Sequence, residues 1–246
     1  MENYFKTFAK LLFLTSIVGL TGCPDNHTHQ LNTKQLNTKQ SNVQTQTKTN
    51  ALLDVPIISQ KPELKNGCEV TSLAMLLQYA GVDIDKMTLA EEIKKDKTPL
   101  TRNKLWKIEG WGDPNIGFVG DITGKEPGFC VYPEPMIDLM EKYLPGRSIN
   151  LTNQEFESLL QRLDSKKPVV VWVTIHFKAP KKLKQWENNG TPIEATFEEH
   201  AVVLVGYDEN YCYINNPYNK KKNQKIKRDK FKSVWEAMGS KAISYM

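Results

Sequence analysis

The stretch PVVVWVTI at residues 168–175 constrains the fold more tightly than any other part of the chain. It is a continuous β-branched run broken only by Trp172. It lacks the in-out alternation of a half-solvated strand, so it reads as a strand buried on both faces. AVVLVGYD from Ala201 and NYCYINN from Asn210 follow, and the DEN between them reads as a hairpin turn. Helical signals come earlier. From Cys68 to Ala80, the residues Val70, Leu73, Ala74, Leu76 and Leu77 share one face, and Gly81 is placed to cap the C-terminus. TLAEE from Thr88 and TNQE from Thr152 have the capping-box pattern. PEPMIDLMEKYLPG from Pro133 opens and closes on helix punctuation, and a last helix is expected from about Arg228 to Ala237, stopping at Gly239. Helices first and strands afterwards imply an α+β domain rather than alternating βαβ units. Residues 110–129, rich in Gly and Pro without periodicity, read as a long ordered loop of the kind that borders a binding site.

The N-terminus has a different character. Lys6 and Lys10 precede the apolar run LLFLTSIVGL at 11–20, which suits a signal-peptide core and is too short to span a bilayer. The run ends in LTGC, where small residues lead into Cys23, and this resembles the lipobox of bacterial lipoproteins. The resemblance implies cleavage after Gly22, diacylglycerol on the Cys23 sulfur, and an exported protein held on the extracytoplasmic face of the membrane. Residues 24–50 contain a direct repeat of QLNTK and almost no apolar side chains, so they cannot offset the entropy of ordering and read as a tether. His27 and His29 lie within it and read as incidental rather than metal-binding. The expected organisation is a signal peptide at 1–22, a polar tether at 23–51 and one domain at 52–246. A net charge of +5 spread along 246 residues gives no case for nucleic-acid binding.

Cys68 stands at the start of a helix, where unsatisfied N–H groups and the helix dipole favour thiolate over thiol. A thiol nucleophile needs a base, and the domain offers His176 and His200. His200 is the better candidate because it stands at the mouth of the strand AVVLVGYD, from which a side chain reaches a helix end packed on the sheet. A third group should orient the imidazole. The next strand ends in Asn215-Asn216-Pro217, and an asparagine carbonyl there can accept the other ring N–H; Asp208 is a competing orienter whose blander reading is a turn residue.

LLDVPIISQKPELKNGCEVTSLAMLLQYAG, GWGDPNIGFVGDI, KKPVVVWV, HAVVLVGYDEN and YINNPY, in that order, resemble the papain-like cysteine peptidases of family thirty-nine, in its stand-alone exported branch. The resemblance implies a papain-like fold with the cysteine helix packed on an antiparallel sheet. It also implies Cys68 as nucleophile, His200 as general base and acid, Asn216 as orienting residue, and Gln60 donating to an oxyanion hole beside the backbone N–H of Cys68. Members commonly carry Asp-Pro where this chain has Asn216-Pro217.

The expected activity is hydrolysis of peptide bonds in a peptide or protein substrate. Amide cleavage or acyl transfer on cell-wall peptides by the same residues is an alternative, and an inactive tethered binding module is another. No cofactor is expected. Cys68, Cys130 and Cys212 lack CxxC or HxxxH spacing, so no structural zinc site is expected either. Cys130 and Cys212 read as free thiols, although an extracellular disulfide between them is compatible with the sequence. The lysine runs at 178–184 and 219–228 read as solvated loop faces, with anionic lipid or cell-wall polymers as possible contacts. Among Trp106, Trp111, Trp172 and Trp186, which suggest a groove lining, Trp172 is better read as core.

Overall fold

The computed structural model describes residues 49–246. The signal peptide, Cys23, His27, His29 and the QLNTK repeat lie outside the described residues. No helix among the described residues is long and apolar enough to cross a membrane.

Strand β1 (Ala51–Leu52) is followed by helices α1 (Cys68–Tyr79) and α2 (Lys86–Glu92). A region of short strands comes next: β2 (Lys95–Asp96), β3 (Thr101–Arg102), β4 (Ile108–Gly110) and β5 (Phe118–Val119). Helix α3 (Pro133–Tyr143), β6 (Ser148–Asn150) and α4 (Phe156–Asp164) lead to β7 (Val169–Thr174). The second half holds β8 (Lys184–Asn188), β9 (Thr191–Ala195), β10 (Glu199–Tyr207), β11 (Tyr211–Asn216), β12 (Lys221–Lys227), α5 (Arg228–Ala237) and β13 (Ala242–Tyr245).

The main sheet runs β12-β11-β10-β7-β13-β6, with β1 joined to the far end of β10, and every pairing in it is antiparallel. Every residue of β7 is buried, as its uninterrupted apolar run requires, so the sheet is covered on both sides. Helices α1 and α3 pack together as one cover, and α4 and α5 meet through Phe156, Phe231 and Trp235 as the other. Helix α1 is buried along nearly its whole length, including Glu69, Thr71 and Ser72, because it is wedged between the sheet and its neighbouring helices. Gly206 lets β1 approach β10: a Cβ there would lie 2.5 Å from the Ala51 carbonyl oxygen.

A second, four-stranded sheet of order β3-β4-β8-β9 is not hydrogen-bonded to the main sheet but shares its core through Trp186, Ile193 and Ala195, and β2 pairs with β5. The parallel pairings among the described residues, β4 with β8 and β2 with β5, belong to this region.

The helix ends differ from the sequence expectation in two places. Asp85, not Thr88, caps α2, accepting from the N–H groups of Met87 at 2.6 Å and Thr88 at 3.0 Å. A cap of that kind contributes about 1 kcal/mol. Thr88 falls inside the first turn. Thr152 is likewise not a cap: Asn153 turns the chain through φ +63°, and α4 begins only at Phe156, after Glu155. Ends marked by glycine lie where expected, with Gly81 at φ +89° after α1 and Gly239 at φ +83° after α5.

Candidate active site

The approach to Cys68 is a tight turn. Gly67 precedes the helix, and a Cβ on it would sit 2.6 Å from Leu64 Cβ, so only glycine fits. The Gly- and Pro-rich segment holds this turn from outside. Asn66 donates its backbone N–H to the Ile122 carbonyl at 3.1 Å and its side-chain N–H to the Asp121 carbonyl at 2.8 Å. The Asp121 carboxylate folds its own loop by accepting from the N–H groups of Thr123, Lys125 and Glu126, which holds its pKa down at about 2 against the cost of burial.

The sulfur of Cys68 lies against the start of β10. The N–H of Ala201 hydrogen-bonds to it, and its own S–H donates to Glu69 Oε2 at 3.3 Å. Ser72, one turn along α1, donates to the Ala201 carbonyl at 3.2 Å, so the helix is pinned to the strand beside His200.

His200 is buried, and its Nε2 lies 2.9 Å from Asn216 Oδ1. Two further bonds fix the Asn216 amide. Its Oδ1 accepts from the backbone N–H of Tyr218 at 3.1 Å, and its Nδ2 donates to Gln224 Oε1 at 3.1 Å. A backbone N–H is only a donor, so the atom facing both Tyr218 and His200 is the carbonyl oxygen. Nε2 therefore carries the imidazole proton and Nδ1 holds the free lone pair. Asn215 is turned the other way and ties the strand to the carbonyls of Val55 and Pro56. Asp208 does not reach His200; it closes the β10–β11 turn by accepting from Asn210, Tyr211 and the Tyr213 hydroxyl. His176 is exposed in the turn after β7.

Gln60 is drawn to the same corner. Its backbone N–H donates to the Pro217 carbonyl at 3.0 Å, next to Asn216, and Lys61 lies over the Tyr218 ring at 3.5 Å. Its side-chain Nε2 donates to Lys65 O at 2.8 Å, with a longer 3.3 Å contact to Leu64 O. Cys130 and Cys212 are free and buried, and burial pushes both thiols well up, Cys212 to about 12.

Two residues unforeseen from the sequence complete the site. Glu69 and Glu199 flank Cys68 and His200 in the chain, and their carboxylates meet at the sulfur: ligand atoms of Cys68, Glu69 and Glu199 lie within 4.8 Å of one another. Glu69 also accepts from the Val131 N–H at 2.9 Å, whereas the buried Oε1 of Glu199 has no hydrogen-bond partner. Burial raises Glu69 to about 7, and burial together with the charge of Glu69 raises Glu199 well above its ordinary value. The sulfur and two carboxylates are a donor set that a thiophilic cation would fill only by capping the Cys68 sulfur.

This alters the expected charge state. Burial first, then the charges of Glu69 and Glu199, push the Cys68 thiol up, outweighing the helix terminus that was expected to favour thiolate. Burial lowers His200 to about 4, partly opposed by the bond to Asn216. At neutral pH both groups are thus uncharged, a thiol and a neutral imidazole.

The family model described as the Peptidase_C39 like family matches residues 52–243. The chain belongs to this family. Its enzyme class is that of the cysteine-type peptidases, which are hydrolases, and its fold is the papain-like α+β arrangement. It is 41% identical over 193 residues to the uncharacterized protein YvpB of Bacillus subtilis (strain 168), covering 78% of this chain and 74% of that protein. A crystal structure from Bacillus anthracis, described as a C39-like peptidase, superposes with a TM-score of 0.72 at 43% identity, covering 81% of this chain and 98% of the other.

Proposed function

We propose that the protein is an exported cysteine peptidase, anchored to the extracytoplasmic face of the membrane through lipid on Cys23, that cleaves peptide bonds with Cys68, His200 and Asn216. The observation that carries the catalytic reading is the tautomer of His200. With Nε2–H given to Asn216, the basic Nδ1 is left to receive a proton, and the α1 sulfur lies on the backbone of the very next residue.

The chemistry follows from the neutral resting pair. As the sulfur attacks the substrate carbonyl carbon, the S–H proton passes to Nδ1 and the carbonyl becomes an oxyanion. The backbone N–H of Cys68 belongs to the helix start and has no intrahelical acceptor, so it can donate to that oxyanion. Gln60 Nε2 supplies the second donor by giving up Leu64 O, the longer of its two contacts. The imidazolium then protonates the departing amine, the C–N bond breaks, and water activated by the same Nδ1 hydrolyses the thioester.

Iodoacetamide should alkylate Cys68 before Cys130 and Cys212, more slowly in a His200→Ala protein, and Cys68→Ala should abolish peptide hydrolysis. Equal labelling of the three thiols, or hydrolysis surviving Cys68→Ala, would remove the reading.

A further inference from the structure

The four-stranded sheet borders a cavity of about 610 Å³, a size typical of ligand sites. Arg102, Trp106 and Lys107 from the β3–β4 hairpin, Leu183 and Lys184 at the start of β8, and Phe197 form its walls. Three cations line it and no carboxylate does.

Its apolar part is unusually exposed. Nine large apolar side chains are exposed among the described residues, and four of them, Leu105, Trp106, Leu183 and Phe197, gather on or beside this cavity. A cluster of that kind marks a binding surface rather than ordinary surface scatter. The hairpin also spends conformational energy to present its indole. Trp106 has φ +59°, a left-handed conformation that is costly for a bulky residue, and yet it stays 79% exposed. Asn103 holds it there by accepting from the N–H groups of Leu105 and Lys107, and Arg102 donates to the Trp106 carbonyl. Packing within the fold does not repay that strain.

The cavity is joined to the reacting groups along two paths. Phe197 precedes His200 by three residues across the turn that the Glu199 N–H closes on the Thr196 carbonyl at 3.2 Å, so the two lie no more than about 10 Å apart, within the length of roughly three residues of extended substrate. The Phe197 ring also lies 5.0 Å from that of Phe129, whose segment continues to Val131, the residue bonded to Glu69 beside Cys68.

We propose that this cavity is a substrate subsite for a large apolar side chain, preferably aromatic, followed by a carboxylate, within about three residues of the bond that Cys68 attacks. The inference rests on the peptidase reading for its distance from the bond and on the cavity alone for its chemistry. The apolar wall takes the ring, and Arg102, Lys107 and Lys184 answer the carboxylate. An anionic polymer would use the cations and leave the exposed indole without a role.

Binding is measured on full-length Cys68→Ala protein in detergent, by fluorescence anisotropy with labelled Gly-Gly-Phe-Asp-Gly-Gly, Gly-Gly-Phe-Lys-Gly-Gly and Gly-Gly-Gly-Asp-Gly-Gly. The Phe-Asp peptide should bind about tenfold tighter than either control. Trp106→Ser, at a solvent-exposed tip, should abolish the preference for Phe. The triple variant Arg102→Gln, Lys107→Gln, Lys184→Gln should erase the preference for Asp over Lys and leave that for Phe. Equal affinity for the three peptides, a preference unchanged in both variants, or displacement of the Phe-Asp and Gly-Asp peptides alike by polyphosphate would overturn the subsite. Preferential binding of Phe-Asp together with no hydrolysis by the unsubstituted protein would support the subsite and remove only the peptidase reading.

Discussion

The imidazole of His200 is governed by a neutral partner, and that makes its titration predictable. Asn216 fixes the ring without supplying negative charge, so burial dominates and the pKa sits at about 4. A general base is lost as pH falls through its folded pKa, so the acid limb of kcat/KM is expected near pH 4 rather than near the ordinary histidine value. Asn216→Asp places a carboxylate on Nε2, stabilises imidazolium, and should move that limb upward by about one pH unit or more. A pH–rate profile on a peptide substrate reads this directly; a limb that stays in place would show that Asn216 does not control the ring. The residues of this corner were largely legible in the sequence because each stands at the end of an element: Cys68 where a helix starts, His200 where a strand starts, Asn216 where one stops. Glu69 and Glu199 were not legible as its partners. An acid in the first turn of a helix ordinarily reads as a solvated complement to the dipole, and only the packing of α1 against β10 buries these two together at one sulfur.

The loop from Gly110 to Phe129 acts at the scale of elements. It has little regular structure, yet its 121–123 turn is what grips the residues just before Cys68. Gly128 closes the loop, and a Cβ there would lie 2.1 Å from the Asp121 carbonyl oxygen and 2.5 Å from Asn66 Nδ2. Gly128→Ala should therefore push the turn off Asn66, lowering stability by about 1–3 kcal/mol in urea unfolding and hydrolysis by more than that loss of folded protein accounts for. Activity that scaled only with the folded fraction would deny the loop its positioning role. The composition of this segment announced an ordered loop near a site, but not which residues it held, because the grip is made by backbone groups that carry no sequence signature. The β8–β9 hairpin went unread for another reason. Its strands alternate within a lysine-rich context that looks solvated, although Asn189-Gly190, both at positive φ, was the available turn signal.

At the scale of the whole molecule, the proposed anchor and the proposed catalytic residues fall in separate stretches of chain, with Cys23 at the head of the tether and Gln60, Cys68, His200 and Asn216 all within 52–246. Cys23→Ser should release the protein from the membrane fraction and leave hydrolysis per mole of protein unchanged, as membrane fractionation followed by assay of each fraction would show. Retention on the membrane would refute the lipid anchor. The backbone bond from Gln60 to Pro217 joins positions more than 150 residues apart and is the seam along which the site closes. A ribosome releases the thiol long before it makes the imidazole, and the hairpin that orients the ring comes near the end of synthesis. On the proposed reading, a chain made only as far as Cys68 holds a sulfur without its base, and the two come together only after residues 200–216 have followed.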